Sequence, residues 1–154
     1  MKEPIIELIA VNVLDAVNSV KTANGYFQSL TAKRPKKQDF SDYSPADGIV
    51  LVVQSDPVEV ESSASGTRQW RVAFVCEAMV IDSDFDQPPV DTRMNRIASD
   101  LTKALLADHT RGGLAIDTTA MATTKFDDGA GSVGIACPFE VHYRHKIDDP
   151  TVAM

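Results

Sequence analysis

The side chains best suited to chemistry are concentrated near the C-terminus, in the segment FEVHYRHKIDDP at residues 139–150. This segment contains two of the three histidines of the 154-residue chain, together with an arginine and several acids. Histidine and carboxylate side chains can bind metals or act as general acids and bases, so their spacing decides whether they form a site. Counting by twos from Val133 places the large apolar residues at odd positions, which is typical of a strand with one buried face.

This alternation separates the two histidines. His142 has an even number and His145 an odd one, so a regular strand points them to opposite faces and they cannot bind one metal together. Glu140, His142 and Arg144 share the even face, where we expect a charged surface ladder or a contact between subunits. Pro138 cannot donate a ladder hydrogen bond, which predicts an edge strand or a bulge.

A second candidate site is the acidic run DSDFD at residues 82–86, which opens like a calcium-binding loop. Such a loop requires glycine at its sixth position and a bidentate acid at its twelfth. The sequence has Gln87 and Arg93 there, with two prolines between them. We therefore predict an acidic segment that precedes a helix, and no metal site.

The run GAGSVG at residues 129–134 matches the G-x-G-x-x-G pattern of nucleotide-binding loops letter for letter. That motif binds phosphate at the N-terminus of a helix that follows the glycines. An alternating strand pattern follows here, so the glycines are better explained by a hairpin turn that requires positive φ angles.

No other catalytic pattern is present. The sequence has no G-x-S-x-G, no H-E-x-x-H and no histidine pair at i and i+4. His109 follows a predicted helix, where its charge suits the negative end of the helix dipole. The sequence therefore predicts a protein that is not an enzyme, with no catalytic residue, cofactor or metal ion, although an active site built from scattered residues would leave no motif.

One basic cluster, KRPKK at residues 33–37, contains four of the fifteen lysine and arginine residues. It could bind phosphates or an acidic partner, or it could be a solvated strand end before a loop, which is the more frequent case for an exposed basic run. Its cationic residues are candidate partner contacts: Lys33, Arg34, Lys36 and Lys37.

Composition limits the remaining function classes. The net charge of −7 argues against non-specific binding to nucleic acid or to an anionic membrane. Cys76 and Cys137 both lie in apolar runs, which predicts buried free thiols in a reducing compartment. The sequence shows no signal-peptide pattern and no apolar stretch near the roughly 20 residues that a membrane span needs, so we expect a soluble protein.

Two segments have the apolar spacing of amphipathic helices. The first is predicted to stop at Asn24-Gly25, and the second at Arg111-Gly112-Gly113. The stripe of the first helix is Ile6, Ile9, Val13, Ala16, Val17 and Val20. The stripe of the second helix is Val90, Met94, Ile97, Leu101, Ala104 and Leu105.

Five segments are predicted to be strands, and they give the element order α-β-β-β-α-β-β. This order favours an α+β fold, with an antiparallel or mixed β-sheet of about five strands and both helices packed on one face. We expect a single domain over residues 1–154, with a projecting loop or hairpin arm at 55–67 and a short C-terminal tail at 148–154. The predicted strands are 25–34, 49–54, 68–81, 114–126 and 132–147. The strand 68–81 alternates as well, and its apolar face is Trp70, Val72, Phe74, Cys76, Ala78 and Val80.

Taken in order, these segments look like one known family. They are a leading helix that ends in NGY, a long middle strand, the helix DTRMNRIASDLTKALLAD followed by GG, and two strands that close on FEVHYRHKIDDP. The patterns L-x-x-A-L-x-x-D in the second helix and V-x-Y-R followed by D-P near the C-terminus carry most of the likeness. Over nearly the whole chain, the sequence resembles the tail terminator family (minor tail protein U-like, or tail-completion proteins) of long-tailed bacteriophages.

The resemblance implies an α/β subunit that forms a hexameric ring. Such a ring caps the finished tail tube, ends tail polymerisation and provides the surface to which the head joins. The implied partners are further copies of the chain, the tail tube protein and a head–tail connector protein, and the implied location is the virion, reached from the host cytoplasm. DNA would pass through the ring without specific binding. The alternatives left open are another head–tail connector or neck component, a small α+β enzyme and a ligand-binding module.

Overall fold

The computed structural model describes residues 1–36, 46–62, 66–80, 87–127 and 132–154. These residues form two α-helices, α1 (Ile5–Asn18) and α2 (Val90–Leu106), a 3-10 turn at Thr22–Asn24, and one eight-stranded sheet. The strands are β1 (Thr31–Lys33), β2 (Ile49–Gln54), β3 (Val58–Ser62), β4 (Thr67–Val80), β5 (Asp117–Ala120), β6 (Thr124–Asp127), β7 (Val133–Lys146) and β8 (Asp149–Ala153).

The predicted α+β class is confirmed, but the predicted strand count and element order are wrong. The first predicted strand, 25–34, is reduced to the three residues of β1. The predicted strand 114–126 is divided into β5 and β6. Two further strands, β3 and β8, lie within segments 55–67 and 148–154.

Two strands of 14 residues each, β4 and β7, form the centre of the sheet. They pair antiparallel along their whole length, from Thr67 opposite Lys146 to Val80 opposite Val133. The sheet order is β1-β2-β4-β7-β5, with β3 also paired to β4, and with β6 and β8 also paired to β7. The sheet is mixed, because β1 and β2 are parallel while every other described pair is antiparallel.

Of the two alternatives predicted for Pro138, the edge strand is wrong, because β7 has partners on both sides. The other alternative, a bulge, agrees with the register, since residues 121–123 lie opposite only residues 137 and 138. The Pro138 carbonyl accepts a hydrogen bond of 3.0 Å from the backbone N–H of Met121. In a strand the nitrogen and carbonyl of one residue point to the same side, so the missing donor of Pro138 faces the connection between β5 and β6. The ladder is interrupted there, which accounts for the division of segment 114–126 into two strands.

The sheet face that packs against both helices, called the inner face below, is almost completely buried. It follows the predicted alternation, with even positions of β4 and odd positions of β7 in one cluster with residues of α1 and α2. Cys76 and Cys137 lie opposite each other on this face as free thiols, as predicted, and burial raises the pKa of Cys137 to about 11. The inner-face residues of the two long strands are Val72, Phe74, Cys76, Ala78, Val80, Ile135, Cys137, Phe139, Val141 and Tyr143.

The helices follow their predicted stripes, but both predicted stops are wrong, since α2 ends at Leu106 and does not reach Arg111-Gly112-Gly113. Helix α1 ends at Asn18, and Gly25, at φ +86°, ends the 3-10 turn instead. The Asn18 side chain accepts a hydrogen bond of 2.8 Å from the backbone N–H of Ala32, which attaches the edge strand β1 to α1. Neither helix of the described residues is long and apolar enough to cross a bilayer.

Candidate interaction surface

The face of the sheet opposite the helices, called the outer face below, is the surface on which the sequence placed its candidate contacts. It consists of the odd positions of β4, the even positions of β7 and the flanking residues of β2, β5 and β6. Most of its side chains are partly buried or exposed, in contrast to the inner face. Its residues on the two long strands are Arg71, Ala73, Val75, Glu77, Met79, Gly134, Ala136, Pro138, Glu140, His142 and Arg144.

One half of the outer face is ionic. The Glu140 carboxylate and the His142 ring nitrogen Nε2 are 2.9 Å apart, and both side chains are partly buried. Arg71 of β4 and Asp117 of β5 lie opposite His142 on either side of it. Arg144 follows on the same face, exposed and opposite Gln69. The predicted sharing of one face by Glu140, His142 and Arg144 is confirmed, and the structure brings the first two into direct contact.

The other half of the outer face is apolar. Val53, Val75 and Pro138 lie side by side in one row across three strands. In the next row Glu77 lies between Leu51 and Ala136. Desolvation by its surroundings raises the pKa of Glu77, because burial disfavours the charged carboxylate.

Gly134 lies at one end of the apolar half, where the sheet is closely packed. Phe126 of β6 lies opposite Gly134 and its ring covers the glycine. A Cβ at position 134 would lie 2.7 Å from Phe126 Cε2 and 2.9 Å from the carbonyl oxygen of Ala78. The third glycine of the G-x-G-x-x-G pattern is therefore required for packing within the sheet, while residues 129–131 lie outside the described residues.

The structure does not present the basic cluster as one uniform surface. Lys33 and Lys36 are exposed, and Lys33 ends the edge strand β1, a position where lysine discourages the addition of another strand. Arg34 is paired with Glu7 of α1, through contacts of 2.7 Å and 3.3 Å between its two terminal nitrogens and the two carboxylate oxygens. Lys37 lies outside the described residues, as does the acidic run at 82–86.

Two buried charged residues were missed by the sequence analysis. Asp100, in the buried stripe of α2 and only 2% exposed, accepts hydrogen bonds from the backbone N–H groups of Phe27 at 3.2 Å and Gln28 at 3.3 Å. The sequence signal for this residue is its position: Asp100 lies within the apolar stripe, three residues after Ile97 and one before Leu101. The two hydrogen bonds to Asp100 fix the segment that enters β1.

The second missed residue is Arg111, which is 1% exposed and has a φ angle of +51°. Its guanidinium donates hydrogen bonds to the backbone carbonyls of Leu105 and Asp108, at the C-terminal end of α2. Burial lowers its pKa, and the neighbouring Asp108 acts in the opposite direction. Arg111 therefore occupies the position at the helix dipole that the sequence suggested for His109, whose exposed ring lies 3.3 Å from Asp117.

Within the described ranges, no three histidine, cysteine, aspartate or glutamate side chains are grouped as a metal site. No protein-family model matches the chain, and no curated protein matches it. The geometry of the outer face and the pattern of the sequence are therefore the basis for a functional proposal.

Proposed function

We propose that this chain is a structural subunit of a bacteriophage tail, which forms a ring at the end of the tail tube. The ring ends tail polymerisation and provides the surface to which the head joins. The ordered sequence motifs supply the family hypothesis, and the outer face supplies a surface for self-association. The observation that carries the proposal is the apolar row Val53, Val75 and Pro138 next to the ionic pair Glu140 and His142.

This surface has the composition of a subunit contact. Apolar side chains at the centre of an interface provide most of the binding free energy, and a polar rim fixes orientation and register. The raised pKa of Glu77 marks a carboxylate that already lacks full hydration in the isolated subunit. A neighbour that covered this row would have to neutralise Glu77 or supply it with a hydrogen-bond donor.

The charge of the chain is compatible with a ring around DNA. At a net charge of −7 the subunit repels phosphate on average, so DNA could pass without being gripped. A strongly basic lumen in an assembled ring would contradict this part of the proposal.

The proposal is tested by measuring the mass of the purified protein in solution and by imaging it in negative stain, alone and with tail tubes. We expect a six-fold ring, either in solution or on the ends of the tubes. A monomer that ignores tube protein at high concentration would contradict the terminator function. Binding to isolated heads but not to tubes would favour the alternative, a head–tail connector or neck component.

A pair of variants tests the role of the outer face. Val75→Asp adds a charge to the apolar row and should prevent ring formation, because an unpaired carboxylate would be buried at the contact. Leu8→Asp makes the same kind of change on α1, where Leu8 is 37% exposed, and should leave the ring intact. If the Val75→Asp variant still formed rings and the Leu8→Asp variant did not, the subunit contact would have to be on the helix side of the sheet.

The basic cluster is tested separately. Replacing Lys33, Lys36 and Lys37 by Ser should impair attachment of heads or tails while the fold remains intact. A fourfold variant that also carries Arg34→Ser removes every cationic residue of the basic cluster. Because Arg34 is paired with Glu7, the fourfold variant also removes a contact between β1 and α1. Unchanged assembly by the threefold variant would exclude a role for these lysines.

A further inference from the structure

A cavity of about 290 Å³ lies on the helix α2 side of the segment that leads into β1. It is lined by Phe27 and Gln28 of that segment, by Met79 at the end of β4 and by Arg96 and Ile97 of α2. Its volume is near the lower limit of ligand-binding pockets, which is a size suited to a small organic molecule.

The described lining residues of the cavity carry more positive than negative charge, although the protein is acidic. Arg93 and Arg96 both line it, and at a spacing of three residues they lie on the same side of α2. Asp47 is the lone acid among the described lining residues, at 3.4 Å from the terminal nitrogen Nη2 of Arg93. The two arginines thus outnumber the aspartate locally, whereas the whole chain carries a net charge of −7.

The position of Arg96 in the cavity lining suits the binding of an oxyanion. Its guanidinium carbon lies over the Phe27 ring, 5.2 Å from the ring centroid. A guanidinium that lies over a ring in a cation–π contact keeps N–H groups that can donate to the two oxygens of a carboxylate.

Gln28, another residue of the cavity lining, carries an unsatisfied donor. Among the described residues the side-chain nitrogen Nε2 of Gln28 is buried without a hydrogen-bond partner, and an unsatisfied buried donor is unfavourable. The backbone of Gln28 is fixed by Asp100, so the side chain alone has to turn for the amide to meet a ligand in the cavity. A carboxylate oxygen of a ligand that accepts a hydrogen bond from this amide would satisfy the donor.

We propose that this cavity binds a small organic acid with a carboxylate attached to an apolar or aromatic body. Arg96 and the Gln28 amide bind the carboxylate, Arg93 adds positive charge, and Phe27, Met79 and Ile97 contact the hydrocarbon part. The site lies between α2 and the end of β4 and does not depend on the proposed function, so binding and ring formation can succeed or fail separately.

The test is a titration of the isotope-labelled full chain with 3-phenylpropionate, followed by nuclear magnetic resonance of backbone and glutamine side-chain amides. We expect saturable shifts at Phe27 and at the Gln28 side chain, with a Kd on the order of 1 mM. The neutral amide, 3-phenylpropionamide, should bind at least about tenfold more weakly, since it lacks the charge that the arginines attract.

Variants make the test specific to the cavity. Arg96→Gln and Gln28→Met should each weaken binding by about tenfold or more, whereas Arg68→Gln, the same charge change on β4, should not. The proposal is overturned by absence of saturable shifts, by equal binding of the neutral amide, or by unchanged binding in both cavity variants. Binding of the peptide acetyl-Gly-Gly-Phe without any binding of the free acid would overturn the assignment to a small acid.

Discussion

Adjacent residues of β4 belong to two very different surfaces. Phe74 points to the inner face and is 1% exposed, whereas Val75 points to the outer face and is only partly buried. The same backbone ladder supports both side chains, so hydrogen bonding does not distinguish them. The inner face supplies the stability of the subunit, and the outer face retains an apolar row that is available for contact.

The largest effect that separates the faces is expected from truncation of Phe74. Phe74→Ala should lower the free energy of unfolding by about 3–5 kcal/mol, because it removes a buried ring and leaves a cavity. Val75→Ala should lower it by less than about 1 kcal/mol in the monomer. Urea unfolding at low protein concentration measures both. Equal losses would show that the outer face is also part of the core of the isolated subunit.

A charged residue of the helix side should behave like part of the core. Asp100→Ala leaves two backbone N–H groups without their acceptor, so we expect a loss of about 2–3 kcal/mol. Asp100→Asn retains one acceptor oxygen and should cost less. Unfolding curves compare the two variants, and Asp15→Ala on α1 serves as a control for removal of an acid. A loss no greater than that of the control would mean that these hydrogen bonds are unimportant.

The outer face is closely packed where Phe126 covers Gly134, and a double-mutant cycle can measure the coupling between these two residues. Gly134→Ala should cost about 1–3 kcal/mol, because the new methyl group overlaps Phe126 and the Ala78 carbonyl. Phe126→Ala in the same chain should recover only part of this loss, since the backbone carbonyl remains in place. Additive effects of the two substitutions in thermal unfolding would argue against the contact between them.

The smallest expected effect concerns Glu77. Its pKa is raised in the folded state by desolvation, so its charged form reduces stability at neutral pH. This cost disappears as the pH falls through the raised pKa toward the ordinary pKa of a glutamate side chain. Glu77→Gln should therefore be slightly more stable than the wild type at pH 7 and lose this advantage in acid. A stability difference that is independent of pH would contradict this explanation.

The sequence predicted the inner face well because complete burial produces strict alternation. The odd positions from Ile135 to Tyr143 are buried as expected, and so are the even positions from Val72 to Val80. The shared face of Glu140, His142 and Arg144 follows from the same alternation. The distances between these side chains could not be predicted, because the contact between Glu140 and His142 depends on rotamers that no periodicity specifies.

The errors have identifiable physical causes. Tyr26 and Phe27 were read as strand residues, but each packs against a cation of α2, Tyr26 with Lys103 at 4.7 Å from the ring centroid and Phe27 with Arg96. The last strand is predicted to end at residue 147, before Asp-Asp-Pro, with only a short tail after it. The chain instead turns there and returns as β8, with the Asp149 carboxylate accepting hydrogen bonds from the Thr151 backbone and hydroxyl. The residues that line the cavity come from four separate segments, so no local sequence motif could predict the cavity.

The pairing of β4 with β7 also has a consequence for the order in which the subunit can be completed. Residues 67–80 leave the ribosome well before residues 133–146, so for much of synthesis β4 has no partner along the edge that β7 later occupies. Contacts between such distant segments slow folding, because a long loop must close before they form. The sheet is therefore closed by an element that is made well after β4. A nascent chain exposes the inner-face row of β4 until then, and truncation before β7 would yield an aggregation-prone fragment rather than a smaller folded domain.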